Sequence, residues 1–168
     1  MNLILSDHKN KQAAIFQAQQ LLKQTKVKIG LPSSASDRNR WLLALHERGA
    51  PGAHIPPRPV VGPALGQKAT QAAIQQGLLQ ACEAAAQGDA TAVMDGFDTA
   101  GQAGVESIHT YIDAGIEPSN APITIHGGWM RNNTSGKPVH VEGKGFDKPL
   151  YDTGELYQAF DYEITASH

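Results

Sequence analysis

The feature that most constrains the fold is a long stretch of helix-forming residues that a Gly-Asp pair divides in two. From position 62 to position 87 the chain is rich in Ala, Gln and Leu, and Gly88 and Asp89 follow. Glycine is common just after a helix because it tolerates left-handed backbone angles, and aspartate is a preferred N-cap residue. The sequence therefore predicts one helix over about 62–87 and a second that runs to about Ala114 and stops at Gly115.

Small and apolar residues mark one side of the second helix. Ala100, Gly101 and Gly104 predict that another backbone approaches this side closely, at a cost in intrinsic helix stability. The whole side comprises Val93, Met94, Phe97, Gly101, Gly104, Val105, Ile108, Tyr111 and Ile112.

Shorter elements flank the two long helices. Apolar residues recur every three to four positions over 10–24, which predicts an amphipathic helix, and residues 26–31 alternate as a half-buried strand does. One or two helical turns are expected over 152–160 and a final strand over 161–165. The order predicts an α+β fold in which a small antiparallel sheet packs against two long helices plus the N-terminal helix.

The segment after the first strand is open to two interpretations. Asp37 is a candidate cap for a short helix through Glu47, with Trp41, Leu42, Leu45 and His46 on its apolar face. The same run alternates at Trp41, Leu43 and Leu45, so a strand stays open as the alternative.

Two stretches are expected to be irregular. Residues 49–63 are dense in Gly and Pro, and proline supplies no amide for a helix interior or a sheet. Residues 116–148 look loop-like, and within them 127–146 is expected to be an inserted, mobile loop because it has little apolar area to offset its chain entropy. We otherwise expect a single domain over 1–168.

Composition excludes several classes of function. The formal net charge is -2, so the chain lacks the basic excess that specific nucleic-acid binding uses. Cys82 is the single cysteine, which excludes an intrachain disulfide and a cysteine-based zinc site, and its Ala-rich surroundings predict a small buried hydrophobe. We find no secretory signal pattern and no apolar run long enough for a bilayer, and expect a protein made in a cytoplasm without membrane association.

Two short motifs resemble catalytic signatures. His46-Glu47 is similar to the start of a zinc-protease helix, but position 50, where the second histidine belongs, is Ala50. A site of His46, Glu47 and His54 would need the chain to fold back, and the other interpretation is a solvated or hydrogen-bonded histidine at a helix end. His126, His140 and His168 are expected at the surface. We expect no metal and no cofactor.

Asp152-Thr153-Gly154 resembles the signature of dimeric aspartic proteases, which share a proton between two aspartates. Only 14 residues follow Gly154, too few for the flap and second motif of those enzymes. The competing interpretation is that Asp152 or Thr153 caps the next helix, with Glu155 in its first turn. The sequence does not support an enzyme, and a small hydrolase using His46, Glu47 and Asp152 is the alternative function.

Segments at both ends of the long helices resemble a known family in combination. The first segment contains LHERGA at 45–50 and IPPRP at 55–59, and the second contains KPLYDTGEL at 148–156 and YEI at 162–164. In this order they resemble the minor tail, tail-completion or neck proteins of long-tailed bacteriophages, over roughly 27–164. Arg48 and Val60 stand where that family commonly has aromatic residues, and residues 127–146 look like an insertion.

The resemblance implies a structural virion protein that acts in tail completion or head–tail joining at the neck. It implies a homo-oligomeric ring, with six or more copies, that contacts other neck and tail proteins such as a connector, stopper or tail terminator. The residues expected to form its interfaces or structural motifs are His46, Glu47, Gly49, Pro57, Arg58, Pro59, Asp152, Thr153 and Gly154.

Arg58 stands between prolines that already restrict the backbone. Its planar guanidinium suits a carboxylate, either Glu47 within the subunit or an acidic residue of a neighbour. Both alternatives stay open on the sequence alone.

Overall fold

The computed structural model describes residues 2–132, 134–150 and 154–166. In the described ranges a long N-terminal helix is followed by a strand, five α-helices, a two-stranded hairpin, a short helix and a closing strand. The helices are α1 (Asn2–Gln24), α2 (Asp37–Arg48), α3 (Val61–Leu65), α4 (Lys68–Gln87), α5 (Ala90–Asp113), α6 (Pro122–His126) and α7 (Glu155–Gln158). The strands are β1 (Thr25–Gly30), β2 (Gly128–Arg131), β3 (Pro138–Val141) and β4 (Asp161–Ala166).

The strands pair in two separate antiparallel sheets. β1 pairs with β4 from Thr25 opposite Ala166 to Gly30 opposite Asp161, so the first and last strands of the chain are neighbours. β2 pairs with β3 as a hairpin. The predicted α+β class, with antiparallel strands against long helices, is confirmed.

Helices α4 and α5 pack extremely closely. A Cβ atom built on Gly96 of α5 would lie 2.6 Å from the backbone nitrogen of Ala81 and 2.7 Å from the carbonyl oxygen of Gly77, both on α4. A Cβ atom on Gly77 would lie 2.6 Å from the nitrogen of Ala100. The prediction of a close backbone approach at Ala100 is therefore confirmed, although the decisive glycines are Gly77 and Gly96.

At the other two predicted small residues, Gly101 and Gly104, side chains of the β1–β4 sheet pack directly against α5. A Cβ atom on Gly101 would overlap the ring of Tyr162 from β4, and one on Gly104 would overlap the side chain of Ile29 from β1. The strand pair thus lies directly on α5, which is why these positions are small.

The buried apolar residues form two clusters along α5. One lies around its C-terminal half and also includes residues of α3, the chain after α5 and α7: Val60, Ala64, Ile108, Ile112, Ile116, Leu150, Leu156 and Phe160. The other joins α1, α4 and the N-terminal half of α5: Ala18, Ala81, Ala84, Ala85, Val93 and Phe97.

The capping predicted at the junction of α4 and α5 is confirmed. Gly88 has φ 82° and follows α4, and the Asp89 side chain accepts a hydrogen bond from the Ala92 N–H at 3.0 Å. The predicted helix over 62–87 is, however, two helices that separate at Gly66 and Gln67. Gly66 is the C-cap of α3, and the low helix propensity of glycine favours a break at this position.

The segment over 37–48 is a helix, and the alternative of a strand is wrong. Ser36 rather than Asp37 is the cap, because its side chain accepts from the Asn39 N–H at 3.1 Å. Trp41 is 63% exposed, so it does not belong to the buried face, whereas Leu42 and Leu43 pack against the core.

Two further predictions are wrong. Cys82 is exposed, because it points away from α5 while Ala81, Ala84 and Ala85 face it. Residues 116–148 are not wholly loop-like, since they contain α6 and the β2–β3 hairpin. The N-terminal helix also begins earlier than predicted, at Asn2.

Among the described residues no helix is both long and apolar enough to cross a membrane.

Gly96→Ala should destabilise the fold because the added methyl group collides with the α4 backbone. Overpacking of this kind costs about 1–3 kcal/mol. Gly62→Ala is the matched control, since a Cβ atom there meets nothing within 4 Å. Urea denaturation followed by circular dichroism measures both variants, and equal midpoints for the two would contradict the close packing.

Candidate functional site

The turn after α2 depends on a glycine. Gly49 has φ 68°, and a Cβ atom there would lie 2.7 Å from the carbonyl oxygen of Ile55 and 2.7 Å from the nitrogen of Pro57. The chain turns through Pro51–Ala53 and returns so that Ala50 and Ile55 exchange two backbone hydrogen bonds of 2.8 and 3.1 Å. Gly49 is therefore required by the backbone path itself.

Glu47 caps the backbone of the next helix. Its Oε1 atom accepts hydrogen bonds from the N–H groups of Val60 and Val61, each at 2.9 Å. These amides lie at the start of α3 and have no partner within that helix. Glu47 thereby joins the end of α2 to the beginning of α3.

Arg58 is buried and bonds to backbone carbonyls. It is 6% exposed, its Nε donates to the carbonyl of Pro118 at 2.5 Å, and its Nη2 donates to that of Ser119 at 2.8 Å. Its own N–H donates to the carbonyl of His46 at 2.6 Å. Of the two alternatives, the pairing of Arg58 with Glu47 is wrong, because both side chains are engaged with backbone atoms. The other alternative, a carboxylate of a neighbouring subunit, is disfavoured because Arg58 is buried within this chain.

Pro57 and Pro59, on either side of Arg58, are exposed. They restrict φ so that the extended chain presents Arg58 inward, where a residue without side-chain donors would leave two carbonyls without these hydrogen bonds. We call residues 46–60, with the carbonyls of Pro118 and Ser119, the clasp.

His46 lies on the inner side of the clasp. It is half-buried, and its Nδ1 atom has no hydrogen-bond partner within the described part of the chain. Burial lowers the pKa of His46 below its ordinary value, and the positive charges of Arg58 and Lys144 lower the pKa further. A neutral imidazole is therefore favoured in the folded protein.

His46 lines a cleft of about 710 Å³. Its walls come from α2, the turn at 53–55, the segment 120–124, the hairpin and the start of α7. Asn120 is fixed there by Asp147, whose Oδ1 accepts from the Asn120 backbone and side-chain N–H groups at 2.8 and 2.9 Å. These hydrogen bonds keep the pKa of Asp147 below its ordinary value.

The C-terminal motif reaches the same cleft. Leu150, Gly154 and Leu156 are buried and line it beside His46. Gly154, with φ 81°, occupies the N-cap position of α7. The predicted capping of this helix by Asp152 or Thr153 lies outside the described residues. The two motif segments, about a hundred positions apart in the chain, therefore converge on one cleft.

Metal-ligand geometry is not found in the described ranges, which contain no group of three or more His, Cys, Asp or Glu residues placed to hold an ion. His54 is exposed in a left-handed turn and lines the cleft with His46, whereas His126 and His140 are at the surface as predicted. His168 lies outside the described residues.

Sequence reasoning missed the carbonyls of Pro118 and Ser119 as partners of Arg58, because backbone acceptors carry no side-chain signal.

Comparisons with protein families, curated proteins and solved structures found no match for this chain.

Arg58→Ala should lower the free energy of unfolding by about 2–3 kcal/mol, because two buried carbonyls lose a charged donor. Arg48→Ala is the control, since Arg48 is exposed and its truncation should stay within about 0.5 kcal/mol. Chemical denaturation of the two variants measures the difference. Equal stabilities would mean that the Arg58 hydrogen bonds contribute nothing to the fold.

His46 should make the fold sensitive to acid. Because its folded pKa lies below the ordinary 6.5, the unfolded chain binds more protons as pH falls. Above pH 6.5 His46 is neutral in both the folded and the unfolded chain, and the free energy of unfolding is at its full value. As pH drops through 6.5 toward the lower folded pKa, the free energy of unfolding decreases.

The measurement is the free energy of unfolding at a series of pH values between neutral and mildly acidic. His46→Gln should flatten its decline with acidification, while His8→Gln, which removes an exposed histidine on α1, should leave the wild-type slope. A slope unchanged in His46→Gln would contradict this assignment.

Proposed function

We propose that this chain is a structural component of a long-tailed bacteriophage particle that acts in tail completion or head–tail joining at the neck. The observation that carries the proposal is the convergence of the two family-like segments. Residues 45–59 and 148–156 resemble phage neck and tail-completion proteins, and both segments line one cleft. Motifs that are remote in sequence and adjacent in space behave as parts of one structural unit.

The roles of the motif residues support a structural function over a catalytic one. Glu47 accepts two backbone hydrogen bonds, and Arg58 donates to two backbone carbonyls. Side chains committed in this way shape the chain path and are poorly placed to exchange protons with a substrate. This argues against the alternative of a hydrolase that uses His46, Glu47 and Asp152.

The surface supports assembly. Several large apolar side chains are exposed, each on a different helix or strand, and aromatic side chains in such positions offer contact area to another chain. They include Phe16 at 61%, Trp41 at 63%, Leu79 at 54% and Trp129 at 71% exposure.

In the proposed setting six or more copies form a ring, since contacts around one axis close on themselves. The ring would contact a connector, stopper or tail terminator, and its work would be shape complementarity without a cofactor. Its location would be the virion.

Immunogold labelling tests the location directly. Antibodies against the full chain are applied to particles produced by the phage or lysogen that encodes it, and gold is expected at the head–tail junction or upper tail. Antibodies against the major capsid protein, which should label heads, serve as the control. Purified particles that lack the chain by both labelling and mass spectrometry would refute the proposal.

A further inference from the structure

The β2–β3 hairpin projects an outward face that the rest of the described chain does not cover. Its strands pair with each other and make few contacts with other helices or strands. Trp129 lies opposite His140, and Arg131 lies opposite Pro138, so these four residues share one face. Trp129 is 71% exposed and its ring packs edge-on against His140 at 5.3 Å.

The other face of the hairpin is turned inward. Met130 and Val141 line the cleft beside the clasp. An isolated two-stranded hairpin is marginally stable in water, and stability needs an apolar face to be packed. The inward face meets this need in part, while Trp129 and the cation of Arg131 remain outside.

An acidic groove lies elsewhere on the molecule, between α5 and β4. It has a volume of about 400 Å³ and is lined in part by Glu106, Asp113, Asp161 and Tyr162. Asp113 is paired with Lys148 at 2.7 Å. Glu106 is exposed in this groove, so its carboxylate is accessible to an incoming cation.

The charges of the two regions are complementary. Residues 68–113 carry one Lys or Arg, which is Lys68, against six Asp or Glu residues. Residues 120–150 carry four Lys or Arg residues against two acidic ones. The hairpin region is therefore cationic and the long-helix region anionic within a chain whose net charge is only -2.

We propose that the outward face of the hairpin, with Trp129 and Arg131, binds the acidic α5–β4 groove of a second copy of this chain. The contact joins two different surfaces, so it is heterologous and propagates from copy to copy until a ring closes. Trp129 supplies apolar area at a low cost in side-chain entropy, and Arg131 sets the orientation against Glu106. The inference deepens the proposed ring and rests on that proposed function.

Charge exchange in the purified full chain tests the contact. Association is measured by sedimentation velocity and native mass spectrometry, with circular dichroism to verify folding. Arg131→Glu and Glu106→Lys should each weaken association about tenfold or more, because each places like charges together. The combined variant should recover most of the wild-type association, since it restores opposite charges with reversed polarity.

Two further measurements separate this contact from a general charge effect. Lys11→Glu, which reverses an exposed charge on α1, should leave association unchanged. The association of the wild-type chain should weaken as salt rises, because salt screens the charge pair. Trp129→Ala should associate more weakly than the wild type at both low and high salt.

The outcomes distinguish this inference from the proposed function. Wild-type oligomers that are insensitive to both single reversals, or a double variant no better than the singles, would overturn the hairpin–groove contact and leave the ring intact. A chain that labels the neck of particles yet stays monomeric in solution would also overturn the self-contact. Absence from the particles, by contrast, would refute the proposed function itself.

Discussion

The close contact between α4 and α5 is the constraint on which the rest of the structure depends. Where Gly77 and Gly96 meet, each helix lies against the backbone of the other, with no room for a Cβ atom. Such contact brings many atom pairs to their optimal separation, which offsets the poor helix propensity of glycine. Helix α5 can then serve as a platform, because its other sides remain available to the strand pair, α1 and α3.

The clasp solves a different physical problem, which is an irregular chain segment next to a core. Residues 49–60 are rich in proline and glycine. They form no long helix or sheet that could supply hydrogen bonds to the backbone groups of the adjacent segments. Two charged side chains do so instead: Glu47 accepts from the start of α3, and Arg58 donates to the chain after α5. The same bonds shape the cleft in which His46 favours its neutral form. Stability and local electrostatics thus depend on one set of hydrogen bonds.

Two charged residues of the motif segments, Glu47 and Arg58, bond to the protein's own backbone, whereas other groups remain at the surface. Exposed aromatic groups and separated charges give the surface two unlike sides, a cationic hairpin and an anionic helix face. Unlike sides favour head-to-tail association, whereas a two-fold dimer would need one self-complementary patch. The proposed place in a phage neck and the proposed contact between copies therefore draw on the same property of the chain.

The sequence by itself determined some of the local elements. Glycine and aspartate at 88–89 specify the α4–α5 junction, and alternation specifies β1, because caps and periodicity act within a few residues. Tertiary structure alone decided the exposure of Cys82, since alanine on all sides of α4 leaves no apolar stripe to indicate the buried face. It also decided the partner of Arg58: the carbonyls of Pro118 and Ser119 lie sixty positions away and leave no trace in side-chain chemistry, so only the folded chain brings them together.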